Sequence, residues 1–514
     1  MPSAGTKDLF WLVKSLTKSE KGFLKVYIAR RSPRGDNLIY LRIFERMERQ
    51  DQGTYDEKAL IRETGIKPSR LPNLKNYLSG LILQSLRELY SKHTVTGLIR
   101  GWIADAEILY KKALYKQARK IITRVKHLAY AHEKWILLLE ILHWERRLVT
   151  AETYTYSLDN QLTSLIDEEK RILSKLSATG EYKALSEKIF VLLKKYGEPR
   201  NMATAEEFRK ILRNPLLKTS DKSLPVEARY YLYFILANLY YGLGDKQKDY
   251  IYRKKIVELS DSSPEWIREN TEQYTGQLNN LLISQTTLRK YAEILSVVKK
   301  LRALPARSVI TQANIFASAS FYELNVYIDT GDFAKGIPLI PGIEKELLKY
   351  SAKINKAKEL LLYYNCACIY FGTGEYNRAL HWLNKILNDT PVQLRQDLYC
   401  VARVLSLIIH LELHNISLLE YSVKSTYHFL YKQKMLYRFE ALILDFIRKK
   451  IPKIITRPEL VAELRDLKEK LVKVSEDPFE KKALDYFNFI AWIDSKIEGR
   501  SFAEMVKRKV RKNY

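Results

Sequence analysis

The chain has 514 residues and 46% apolar side chains, yet only 19 glycines and 15 prolines, about half the usual share. So few chain-turning residues exclude β-sandwiches, barrels and long disordered linkers, and the length then predicts several domains or one long helical array. The net charge of +28 is a field of one sign that attracts nucleic acid, ribosomes, anionic lipid or acidic proteins, and says nothing about fold.

At the N-terminus the only apolar run is Leu9 to Val13, too short for a secretory signal and preceded by an acid. No run anywhere approaches the roughly 18 apolar residues of a membrane span. Helical spacing predicts helices at Lys7–Leu16, Ser19–Arg30, Leu38–Gln50 and Pro72–Tyr90. Pro72 suits a first helical position, where a missing N–H costs nothing. Asp56–Leu78 has the outline of a helix, a Gly turn and a second helix, as in DNA-reading motifs. Two residues oppose that reading: Ile61 stands where a small residue belongs before Gly65, and Pro72 interrupts the recognition helix.

The strongest charge feature is Ile108 to His132. It holds Lys111, Lys112, Lys116, Arg119, Lys120, Arg124 and Lys126, and no acid. Lys116, Lys120 and Arg124 recur every four residues and form one row on a helix. Like charges in such a row repel, which implies a compensating anion. Lys112, Lys116, Arg119, Lys120 and Arg124 are therefore candidates for binding nucleic acid, set against the plainer account of a solvated helix face.

Short turn words recur downstream: Thr179-Gly180-Glu181-Tyr182, Leu243-Gly244-Asp245-Lys246, Thr330-Gly331-Asp332-Phe333 and Thr373-Gly374-Glu375-Tyr376. Each lies between two apolar runs of helical spacing. Around Gly374 the first run carries Tyr363, Ala367 and Tyr370; Tyr376, Ala379, Leu383 and Ile386 follow the turn. This resembles the tetratricopeptide repeat, a helix pair in which small residues allow close approach and aromatics fill the gap beside them. An earlier copy has Trp102, Ala106, Leu109, Tyr115, Ala118, Ile122 and Val125, with Ala113 at the turn. Units without Gly turn near Arg289 and near His414. Successive turns at 289, 331, 374 and 414 are roughly 40 residues apart, against the usual 34. That excess predicts helices of about 18 to 20 residues.

The resemblance implies an all-α, right-handed superhelix (an α-solenoid) over residues 98–430. Helical caps cover 1–97 and 431–514, because the end faces of a repeat stack must be shielded. It also implies a concave wall for a protein or peptide partner, formed by Tyr231, Phe234, Asn238, Tyr241, Phe321, Asn325, Tyr364 and Phe371. Rings supply contact area and Asn pairs with peptide backbone. Taken whole, the chain resembles an uncharacterised bacterial family of all-helical repeat proteins, through SLTKSEKGFLKVY near the start and PFEKKALDYF near the end. That likeness implies architecture and no activity.

The C-terminal flank predicts helices at Leu436–Lys450 and Pro458–Val474, then a final pair. Two further basic patches appear: Arg448, Lys449, Lys450, Lys453 and Arg457, and the tail Lys507, Arg508, Lys509, Arg511 and Lys512. The tail reads as a frayed helix end.

No phosphate-binding loop, nucleophile elbow or His-Glu-x-x-His motif is present. His410 and His414 share metal-ligand spacing, but Glu412 points elsewhere and nothing completes the set. No cofactor or metal is expected. Cys366, Cys368 and Cys400 read as buried, reduced thiols, which suits the cytoplasm. The expected function is a non-enzymatic cytoplasmic binding scaffold; the alternative is an RNA- or ribosome-associated protein that grips phosphate backbone.

Overall fold

The structure, a computed structural model, describes residues 7–31, 37–50, 55–91, 94–152, 158–196, 202–306, 308–351, 353–388, 395–477, 480, 484 and 486–512. Every regular element among them is helical. Much of PFEKKALDYF lies outside the described residues. The chain divides into two compact units, Met1–Asn270 and Thr271–Tyr514. The division falls inside the stretch read from the sequence as one array.

The first unit contains α1 (Asp8–Ser15), α2 (Lys18–Arg31), α3 (Asn37–Arg49), α4 (Glu57–Thr64), α5 (Leu71–Ser91), α6 (Val95–Lys111), α7 (Tyr115–Ala131), α8 (Trp135–Glu152), α9 (Leu158–Tyr196), α10 (Met202–Leu212), α11 (Val226–Gly242), α12 (Lys246–Asp261) and α13 (Pro264–Glu269). The four helices expected before residue 91 are present. α4 is the short helix read before the Gly turn of Asp56–Leu78, capped by Asp56 and ended by Gly65 in the left-handed conformation. These helices enclose a core of their own around Phe10, Ile28, Phe44, Leu60 and Leu78. A second core joins α6 to α9, and a third joins the end of α9 to α11 and α12.

The second unit contains α14 (Thr271–Thr287), α15 (Tyr291–Arg302), α16 (Val309–Thr330), α17 (Phe333–Gly336), α18 (Ile340–Tyr350), α19 (Lys356–Gly372), α20 (Tyr376–Leu387), α21 (Gln396–Glu412), α22 (Ile416–Lys432), α23 (Arg438–Asp445), α24 (Arg457–Val474), α25 (Phe489–Glu498) and α26 (Phe502–Lys512). One continuous core runs from α16 to α26. In both units consecutive helices pack on each other, the pattern of a helical repeat.

The repeat is clearest at its turns. Ala113, Arg289 and His414, the three non-Gly positions expected to turn, all have positive φ, as do Gly244, Gly331 and Gly374. Glu133 and Lys434 mark two more such turns that no Gly announced. Leu114 N–H donates to the Leu109 carbonyl at 3.0 Å, Asp245 to Tyr240 at 2.9 Å, Glu375 to Tyr370 at 2.9 Å and Asn415 to His410 at 3.0 Å. This six-to-one bond closes the helix end whether or not Gly is present. A non-Gly residue in that conformation costs about 1 kcal/mol, which the bond and the packing of the two helices outweigh.

Two expectations are corrected. Gly180 lies inside α9, a continuous helix of 39 residues, so Thr179–Tyr182 is not a turn. Tyr182 is fully buried, and its hydroxyl donates to the Leu216 carbonyl at 2.7 Å. A Gly in mid-helix costs only about 1 kcal/mol, less than breaking a helix packed on both sides. Helix length also differs from expectation. α19 has 17 residues and α20 has 12; the surplus lies in connections and in the broken pair α17–α18. There Pro338 and Pro341 prevent one continuous second helix.

At Gly374 the pairing has the expected form. Ala367, Ala379, Leu383 and Ile386 are buried where α19 meets α20. Gly372 is irreplaceable for a packing reason: a Cβ there would stand 2.1 Å from the Phe333 ring. In the Gly244 unit, Asp249 and Arg253 occupy places that are apolar in the better copies, and they form a buried ion pair at 2.6 Å.

Candidate partner-binding faces

The expected wall residues fall on three helices. On α11, Tyr231, Phe234 and Asn238 are half-buried and Tyr241 is 38% exposed. Phe234 stacks with Tyr230 at a centroid distance of 6.1 Å. The Asn238 amide donates to the Phe234 carbonyl at 2.8 Å, which commits one of its donors to its own helix. Burial pushes the Tyr231 hydroxyl up, with Glu227 and Glu187 adding to it, so it stays a protonated donor at neutral pH.

On α16, Phe321 and Asn325 are half-buried. Asn365 of α19 donates to the Asn325 carbonyl oxygen at 2.7 Å. This amide therefore ties two helices together.

On α19 the expectation is overturned. Tyr364 is 3% exposed and Phe371 is 1% exposed, so neither forms an open wall. The chain covers them itself. Tyr364 meets Tyr486 edge-on, and its hydroxyl donates to the Tyr486 carbonyl at 3.4 Å. Phe371 packs edge-on against Phe487 at 5.0 Å and Phe502 at 5.3 Å. Phe502 also meets Phe333 at 5.5 Å.

Polar contacts lock the same segment. Glu412, at the end of α21, accepts from Trp492 Nε1 at 2.7 Å and from Lys496. Asp397 accepts from Tyr486 and pairs with Arg395 at 2.8 Å. Lys507 pairs with Asp332 at 2.8 Å, while the Ala503 carbonyl approaches so near Gly331 that a Cβ there would be 2.9 Å away. The tail is thus not a frayed end: Met505 and Val506 of α26 are buried. Trp492, Phe487, Phe489, Met505 and Val506 are all buried. At roughly 2 kcal/mol each, that is on the order of 10 kcal/mol. A micromolar ligand supplies about 8 kcal/mol, so this face is closed.

Sequence reading missed this lid. Phe502, Met505, Val506 and Lys509 do make an amphipathic helix, a signal that α26 needs an apolar neighbour, but not of which neighbour.

The basic face of α7 has a different character. Lys126 is matched by Glu145 at 2.6 Å and Glu168 at 2.8 Å, and Lys111 by Glu107 at 2.7 Å. The acid missing from the local sequence is thus supplied, on that side, by α8 and α9. Arg119 is half-buried and engaged. Lys112, Lys116, Lys120 and Arg124 are exposed. Arg124 lies over the Trp102 ring at 4.4 Å. In the patch at the end of α23, Arg448 and Lys449 pair with Asp445, and Lys450 pairs with Glu463.

His410 Nδ1 lies 3.2 Å from the Asn415 amide, and His414 is at the turn. Among the described residues no group of three His, Cys, Asp or Glu is placed to hold a metal ion. Cys366, Cys368 and Cys400 are unpaired and buried, and burial pushes the Cys368 and Cys400 thiols up to about 12. They pack as small apolar groups. Among the described residues no helix is long and apolar enough to cross a membrane.

One titratable group stands out in α23. Glu440 has a buried carboxylate oxygen without a hydrogen-bond partner among the described residues. Burial, with the Glu480 carboxylate nearby, pushes its carboxyl up to about 7. The folded state therefore holds this proton more tightly than the unfolded chain does. Stability linked to it is full below the ordinary value near 4.5 and is lost as pH rises through about 7. Glu440→Gln is expected to stabilise the protein at pH 8 by up to about 3 kcal/mol, with no gain at pH 4. Thermal unfolding at the two pH values checks this; an equal effect at both refutes it.

A scan of protein-family models finds no match to this chain, and neither curated proteins nor solved structures yield a similar one.

Proposed function

We propose that the protein is a non-enzymatic binding scaffold made of tetratricopeptide-like helix pairs, stacked as a right-handed superhelix with helical caps. Its partner is a protein segment. The reading is supported above all by what lies on the α16–α19 face. That face, assigned to partner contact by its residue pattern, is covered by a protein segment with aromatic and amphipathic character, the chain's own α25–α26. Helix-pair faces of this composition thus favour a helix laid across them. α11 offers the corresponding residues Tyr231, Phe234, Asn238 and Tyr241 in the first unit. Three buried, unpaired thiols suit a reducing compartment, and we place the protein in the cytoplasm.

The test is a pull-down of the tagged full chain after nuclease treatment, read by mass spectrometry. A defined protein set captured by the wild type and lost with Tyr231→Glu/Tyr241→Glu supports the scaffold. Retention of the same set by the double variant, or no set surviving nuclease, sinks it.

A further inference from the structure

We propose that the exposed row Lys116, Lys120 and Arg124 of α7 binds the phosphodiester backbone of a single-stranded nucleic acid, without reading its sequence. Lys111 and Lys126, on the same two helices, each have a carboxylate within 3 Å. The exposed cations Arg448, Lys449 and Lys450 at the end of α23 are paired too, which makes them a control of equal charge. Among the described residues no carboxylate reaches Lys112, Lys116 or Lys120.

The row also stands against its own helix. α7 has no acid in its first turn, and Lys116 sits there against the helix dipole, an unfavourable placement. Neighbouring like charges four residues apart add to the cost. An anion along the row relieves both.

The geometry specifies which anion. Four residues of helix rise about 6 Å, so Lys116, Lys120 and Arg124 span about 12 Å in a straight line. A row of cations with regular spacing fits a polymer with one charge per repeat. A flexible single strand adapts its phosphate spacing to such a row. Arg124 is held over Trp102 at 4.4 Å, which restrains its side chain at the end of the row, and a guanidinium is a bidentate partner for phosphate. Trp102 is occupied by that contact, so the row offers cations and not an open ring, and phosphate contacts carry no sequence information.

The experiment uses the full chain and a fluorescein-labelled, mixed-sequence single-stranded RNA of about 20 nucleotides, read by anisotropy across about 50 to 200 mM salt. A single-stranded DNA of the same sequence forms a second arm. Lys116→Gln/Lys120→Gln/Arg124→Gln is compared with Arg448→Gln/Lys449→Gln/Lys450→Gln, which removes equal charge. The first triple is expected to weaken binding of both strands at least about tenfold and to flatten the log–log salt dependence by about two in slope, about 0.7 for each of its three cations. The second is expected to leave both unchanged. Binding that falls equally in the two triples assigns the effect to net charge and overturns the proposal. So does a first triple that binds like wild type, or RNA bound at the row while DNA is not. The substituted side chains of the first triple are exposed, and unchanged circular dichroism confirms the fold.

Discussion

Asp249→Ala is expected to lower the unfolding temperature of the Met1–Asn270 unit by roughly 10 °C, while Asp249→Ala/Arg253→Leu restores it. Asp249 is 4% exposed and Arg253 is 8% exposed, with 2.6 Å between their polar atoms. Removing the acid alone leaves a guanidinium buried without its counter-charge, a loss of about 3 to 5 kcal/mol. Each kcal/mol moves the transition of a unit this size by about 2 to 4 °C. The double replacement restores the small and apolar residues that Ala379 and Leu383 supply in the Gly374 unit. Burial pushes the Asp249 carboxyl up despite Arg253, so desolvation outweighs the attraction within the pair. The double variant is therefore expected within about 1 kcal/mol of wild type, or above it. Differential scanning calorimetry of the full chain resolves this. A double variant as unstable as the single one shows that the pair itself contributes net stability.

The second large effect is at the lid. Trp492→Ala is expected to cost about 3 to 5 kcal/mol, because the ring is 2% exposed and its N–H donates to Glu412. The loss is local in its consequences. Without the ring, α25 and α26 lose their central anchor, and of these two helices only Lys496 still reaches Glu412. Hydrogen exchange is expected to accelerate first at Phe489–Lys512. Tyr364 and Phe371 then become accessible, and an apolar dye binds where the wild type binds none. Uniform acceleration across Thr271–Tyr514 overturns the view of a separable lid. The contrast with Glu440→Gln is useful, since that change stabilises the same unit at high pH and leaves the lid in place.

How far the molecule was legible from its residues depends on the range of the interaction. Turn positions were legible because a left-handed helix end, its six-to-one hydrogen bond and the next apolar stripe all lie within a few residues. That is why Ala113, Arg289 and His414 could be placed without Gly. The same local word misled at Thr179–Tyr182, where packing along both halves of α9 outweighs a preference of about 1 kcal/mol. Helix lengths were overestimated because spacing between turns counts connections and proline breaks as helix.

The amino-acid sequence by itself determined the helical class, most helix positions, the buried thiols and the row of cations on α7. These follow from periodicity and charge, which act between neighbours. Only the tertiary structure decided which of those features remain open. Glu145 and Glu168 come from other helices to neutralise Lys126, while among the described residues no carboxylate comes to Lys116 or Lys120. Tyr364 and Phe371 have the pattern of an open wall, yet residues more than a hundred positions later cover them. An apolar stripe states that it must be buried, and its energy depends on area alone. The identity of the segment that buries it is set by shape and chain path, to which a local pattern is blind.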